Sequence, residues 1–161
     1  MKASINGWLW YLLAAGILTA IVDGLFSSIL SAVFYGSTVQ RLFQGVAATL
    51  LGPDALRGGS RTALIGVLMH VGVAFGWSAV FLVAFSSWPW LRQATMTTSG
   101  LAGVAAVYGP LIWLLMSLVV IPALTHRATP IGFRWWVQLF GHIPFVGLPI
   151  VASIRGMQPP V

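Results

Sequence analysis

The sequence predicts an all-α integral membrane protein, a four-helix bundle with an additional short amphipathic interfacial helix, and three observations predict it. Apolar runs recur four times, each long enough to cross a bilayer as a helix. Charged residues make up 6% of the 161 residues and hydrophobic residues 58%, against roughly 25% charged in ordinary soluble domains. So few charges cannot clothe a water-soluble surface, and the mean hydropathy of +0.94 says the same. Finally, the basic residues stand singly near the ends of the apolar runs, where Arg and Lys anchor a helix among lipid head groups.

The first run extends over residues 8–35, about 28 residues or roughly 42 Å of helix against a hydrocarbon core of about 30 Å, so it must tilt, kink or protrude. It lacks the short apolar region, cleavage site and polar continuation of a secretory signal, and reads as a retained span. Along it Gly16, Ala20, Gly24, Ser28 and Ala32 recur every fourth residue, a ribbon of small side chains that lets another helix approach. Internal packing is the favoured use of that ribbon over a dedicated dimer face.

Residues 39–51 follow, in which Val39, Leu42, Phe43, Val46 and Leu50 fall at helical spacing with Arg41 and Gln44 off the stripe. This segment predicts an amphipathic helix that lies in the membrane interface or folds onto the bundle, with a re-entrant lid as the alternative. Gly52-Pro53-Asp54 and Gly58-Gly59 then turn the chain into the second span, residues 62–85, with Ser60 expected to cap it. Gly72 and Gly76 repeat the small-residue spacing there once.

The third span covers residues 99–124, capped by Ser99, and the fourth residues 133–154. Pro110 and Pro122 in the third, with Pro144 and Pro149 in the fourth, each remove a backbone donor and predict kinks or local unwinding, the fourth span being the least regular. Trp8 with Trp10, Trp88-Pro89-Trp90 and Trp135-Trp136 read as an interfacial belt, and no tryptophan is assigned a stacking or ligand role. The spans and short loops nearly exhaust residues 1–161, so a single membrane domain is expected. Counting positive charges sets Arg41, Arg57, Arg61, Arg127 and Arg134 against Lys2, Arg92 and Arg155, a small margin that places both termini outside.

Composition also excludes. With no cysteine there is neither disulfide nor thiolate chemistry. The net charge of +6 is dispersed, not gathered into a nucleic-acid patch, so the expected partner is the lipid bilayer, with a homo-oligomer or a larger membrane complex around it. Phosphate loops, nucleophile elbows and histidine metal motifs are absent from the sequence, which leaves enzymatic catalysis little to stand on.

What remains is a set of ionisable residues inside the apolar runs: Asp23, His70 and His142. Alternating spans put His70 and His142 about 12 to 14 Å below the side that carries the first and third loops, and Asp23 near 18 Å. Thr19 and Ser27 stand one turn either side of Asp23, Gln138 stands one turn before His142, and Met116 and Ser117 return to the depth of the histidines. These five are candidate neighbours of the three ionisable groups. Lipid-facing positions would cost each ionisable group several kcal/mol, so all three are expected to point inward. His126, beside Arg127 in a loop, reads as solvated.

The run Phe43-Gln44-Gly45-Val46-Ala47 through Leu50-Leu51-Gly52, then Gly58-Gly59, Ala63, Gly66 and His70, resembles small uncharacterised proteins of the bacterial inner membrane. Gly141-His142 and Val146-Gly147-Leu148-Pro149-Ile150 resemble the last span of that group. The resemblance covers most of the chain in order and implies a four-span, multi-pass protein of the bacterial inner membrane in which both histidines belong to the pattern. It supplies no reaction.

Two functions are open at this point. In one, Asp23, His70 and His142 form a working intramembrane site, either a proton or ion relay or a ligand site with a metal or haem iron between His70 and His142. No specific motif supports haem or metal. In the other, the protein is an accessory or structural subunit, and a buried histidine is a neutral group that donates and accepts to orient helices.

Overall fold

The computed structural model describes residues 5–157, so Lys2 and its part in the charge count lie outside the described residues. Four helical stretches are long and apolar enough to cross a membrane: Gly7–Phe34, Gly59–Ser87, Thr98–Thr125 and Phe133–Arg155. The chain is an all-α, multi-pass membrane protein.

The first span is helix α1 (Ile5–Ile29) continued by a π-helical turn, Leu30–Phe34, and the second is one unbroken helix, here α3 (Gly59–Ser87). Between them lies α2 (Val39–Leu51), with a 3-10 turn, Pro53–Arg57, closing the connection. A short helix α4 (Pro89–Ala94) leads to the third span, α5 (Thr98–Leu115), a π turn Met116–Val120, and α6 (Ile121–Thr125). The fourth span is α7 (Phe133–His142), a π turn Ile143–Gly147, and α8 (Leu148–Arg155).

Proline explains most of this irregularity. Pro144 has no N–H to return to the preceding turn, and the helix widens there until the Leu148 N–H reaches the Ile143 carbonyl. A second π turn precedes Pro122, whereas Pro110 is carried inside α5 with no change of helix type. The π turn that ends the first span contains no proline and has no signal in the sequence.

Caps differ from expectation at both spans. Ser60 lies inside α3, which begins at Gly59 after Gly58 without a side-chain cap. Thr97, not Ser99, caps α5: its Oγ1 accepts from the Gly100 N–H at 3.0 Å, and Ser99 Oγ stands 3.3 Å from that same oxygen. Thr97→Ala is therefore expected to lower stability by about 1 kcal/mol and Ser99→Ala by no more than a few tenths, as read by SDS titration in mixed micelles. Equal losses would return the cap to Ser99.

The apolar core lies toward the α3–α5 turn, where Phe81, Phe85, Leu101, Ala105, Ile150 and Ile154 pack together. Polar ties close the same end. Arg92 donates to the carbonyls of Phe85 and Ser86 at 3.0 and 2.6 Å, placing a cation on the C-terminus of α3. Arg155 donates to the Met96 carbonyl at 2.8 Å and Tyr11 to the Gly156 carbonyl at 2.6 Å.

At the opposite end α2 folds onto the bundle instead of lying free in the interface. It crosses α3 where the Phe43 carbonyl occupies the space a Cβ on Gly66 would need. Gln44, expected on the polar face, is buried, and its amide reaches across the turn to the Gly59 carbonyl at 3.0 Å. Arg41 donates to the Leu56 carbonyl at 3.0 Å, so the polar side of α2 holds the connecting turn.

The tryptophan belt is also divided. Trp10, Trp88, Trp90 and Trp136 are exposed as expected, but Trp135 is buried and donates to Ser117 Oγ at 3.1 Å. The small-residue ribbon of α1 meets α3: Gly16 lies under the Phe75 ring and Gly24 under His70, while Ala32 is exposed. Gly72 and Gly76 touch no neighbour through an added Cβ, because they face outward from α3.

Candidate functional site

Asp23, His70 and His142 line one cavity of about 550 Å³ in the half of the bundle nearer α2. Thr19, Ser27, Met116 and Gln138 line it with them. Ser117 does not, although it adjoins Met116 in sequence. A helix turns about 100° per residue, which sends Ser117 to Trp135 and its carbonyl to the Thr129 hydroxyl.

His70 enters through the ribbon on α1. Its Nε2 stands 3.1 Å from the Ala20 carbonyl, and an added Cβ on Gly24 would approach that nitrogen to 3.4 Å, so the small residues make the seat. The Phe43 ring packs edge-on at 5.9 Å between centroids. A carbonyl can only accept, so Nε2 carries the proton and Nδ1 is left facing Asp23 Oδ2 at 3.9 Å. If the imidazole were neutral and the carboxyl ionised, two lone pairs would oppose each other there. One additional proton on the pair removes that conflict.

His142 ends α7 at the widened turn. Its Nδ1 donates to the Gln138 carbonyl at 2.7 Å, which leaves Nε2 uncommitted, and its ring lies 4.9 Å from that of Trp113. Gly109 of α5 permits this placement, since a Cβ there would overlap the His142 carbonyl. Asp23 shares the cavity with both imidazoles. Several polar atoms of the wall have no partner: Thr19 Oγ1, Asp23 Oδ1 and Trp113 Nε1 are buried without a hydrogen bond.

Each imidazole gives one N–H to a backbone carbonyl and leaves its other nitrogen open, Nε2 on His142 and Nδ1 on His70, and the open nitrogen of His70 faces Asp23. Among the described residues no three His, Cys, Asp or Glu side chains gather closely enough to hold one metal ion.

The sequence reading missed Trp77, Trp113 and the inner face of α2, where Leu42, Val46 and Thr49 also line the cavity. A signal for the tryptophans existed. Trp77 stands seven residues after His70, on the same helical face, and Trp113 stands three before Met116. No protein-family model, curated protein or solved structure matches the chain, so the residues themselves carry the functional reading.

Proposed function

We propose that this multi-pass membrane protein binds and exchanges protons at Asp23, His70 and His142, within the inner membrane of a bacterium. The observation that carries the reading is the approach of His70 Nδ1 to Asp23 Oδ2 at 3.9 Å while His70 Nε2 is committed to the Ala20 carbonyl. One proton on either member of a pair so placed turns the opposition of two lone pairs into an attraction, and its loss restores the opposition. His142, with a free Nε2 on the same cavity, is the second acceptor, which that proton can reach over a water. The bacterial setting is supported by the resemblance of the α2 and α8 segments and of both histidine positions.

Infrared difference spectroscopy tests this directly, because the chain has two acidic side chains and the other, Asp54, is exposed. A protonated-carboxyl band that titrates with pH is expected in the native protein and absent in Asp23→Asn. In His70→Gln its midpoint is expected to move by about one pH unit or more, since an adjacent charge shifts a carboxyl by that order. A band that is missing at every pH, or that titrates identically without His70, would remove the proposal.

The accessory-subunit reading has one observation of its own. Ala102, Gly103 and Ala106 form an exposed small-residue face on α5, where a helix from another protein can approach closely. It requires a partner that co-purifies stoichiometrically and is lost in Gly103→Leu.

A further inference from the structure

We infer that the cavity binds a lipophilic amine in its cationic form, taken sideways from the bilayer, with the ammonium held by Asp23. The inference rests on the proposal that Asp23 and His70 are a working protonatable pair, and it names what exchanges with the proton.

Access comes first. Of the residues lining the cavity, Leu50, Gly72, Val73 and Leu124 are exposed, and they belong to α2, α3 and α6. The mouth therefore opens between these helices. Gly72 stands 13 residues into α3, about 20 Å along a helix that spans the bilayer, and Leu124 stands at the end of the third span, so the opening runs from the membrane surface down to lipid depth. A guest entering at that depth is a molecule already dissolved in the membrane.

The walls then select. Volume lies within the usual range for small-molecule sites, about 300–1,000 Å³, and the lining is chiefly apolar, with Leu42, Met69, Ile112 and Met116 among it. The unpartnered atoms provide the polar end. Thr19 is 2% exposed, its Oγ1 has no partner, and Asp23 Oδ1, one helical turn along, has none either. The carboxylate oxygen can only accept, and an ammonium N–H supplies the donor that it lacks, with the Thr19 hydroxyl beside it. Trp77 and Trp113 add aromatic faces, which attract organic cations. Among the described lining residues there is no Lys or Arg, so a carboxylate or phosphate guest has no fixed cation to meet.

Charge balance links the guest to the proton. An ammonium beside Asp23 makes the proton held on the Asp23–His70 pair redundant, so one cation enters and one proton leaves. Binding should then tighten as pH rises while the amine stays protonated.

The test uses the full chain in nanodiscs, with dimethyl(phenylbutyl)amine as the cationic probe and, as its neutral counterpart, the hydrocarbon of the same shape with C–H in place of nitrogen. Empty nanodiscs correct for partition into lipid. Saturable binding of the amine with one proton released per chain is expected, weakened by about thirtyfold or more in Asp23→Asn, the cost of removing one partner from a buried charge pair. Equal binding of the hydrocarbon, or full affinity in Asp23→Asn, overturns the inference. Gly72→Trp is an independent arm, because an added side chain there meets open space in the folded protein and obstructs the mouth. It is expected to slow and weaken amine uptake, and unchanged uptake overturns lateral access. A titrating Asp23 band without amine binding defeats this inference alone, whereas saturable amine binding without any titrating band defeats the proton reading beneath it.

Discussion

Gly66→Leu is expected to detach α2 from α3 and to lower stability by about 3 kcal/mol, the upper end for overpacking a close contact. The Cβ alone overlaps the carbonyl of Phe43, and a backbone oxygen held in the α2 helix cannot rotate away as a side chain can. The helix must move as a body. It would take with it Gln44, which ties α2 to Gly59, and Leu42 and Val46, which wall the cavity. Gly45→Ala on α2 is the control, since its added Cβ meets nothing within 4 Å. Helix propensity favours that change by up to about 1 kcal/mol. SDS titration of both variants decides the matter, and equal midpoints would show that α2 is not clamped at Gly66.

Gly109→Val should act on the site from outside it. Here α5 and the fourth span approach backbone to backbone: a Cβ on Gly109 overlaps the His142 carbonyl, and one on Gly147 overlaps the Ala105 carbonyl. Separating them is expected to cost about 2 to 3 kcal/mol. The more informative effect is on chemistry, because His142 would be displaced from the ring of Trp113 and from its place on the cavity. The titration of the Asp23 carboxyl band is expected to move in Gly109→Val and to stay in place in Gly103→Ala, where an added Cβ meets open space on the same helix. A stable Gly109→Val protein with an unchanged band would deny His142 any influence on Asp23.

These two glycines show where sequence reading stops. Gly66 stands out only through a resemblance and Gly109 through no pattern, whereas the regular ribbon from Gly16 to Ala32 and the Gly72/Gly76 pair stand out by their spacing. Part of that ribbon does receive α3, yet Gly72 and Gly76 face outward. Spacing shows that small residues share a face and says nothing of whether a neighbour lies opposite. Ser99 and Thr97 make a similar pair: both are cap residues by type, and the choice turned on which backbone first became helical.

What the sequence determined by itself was set by the bilayer. Hydrocarbon thickness demands long apolar helices, and the scarcity of charge left no other solvent for the surface. The same demand makes Asp23, His70 and His142 conspicuous, and helical rise alone brought them to neighbouring depths. Tertiary structure decided the rest, because depth does not include rotation about the helix axis. Interhelical packing turned Met116 into the cavity and Ser117 toward Trp135, committed one nitrogen of each histidine to a carbonyl, and set α2 against the cavity whose mouth opens between α2, α3 and α6.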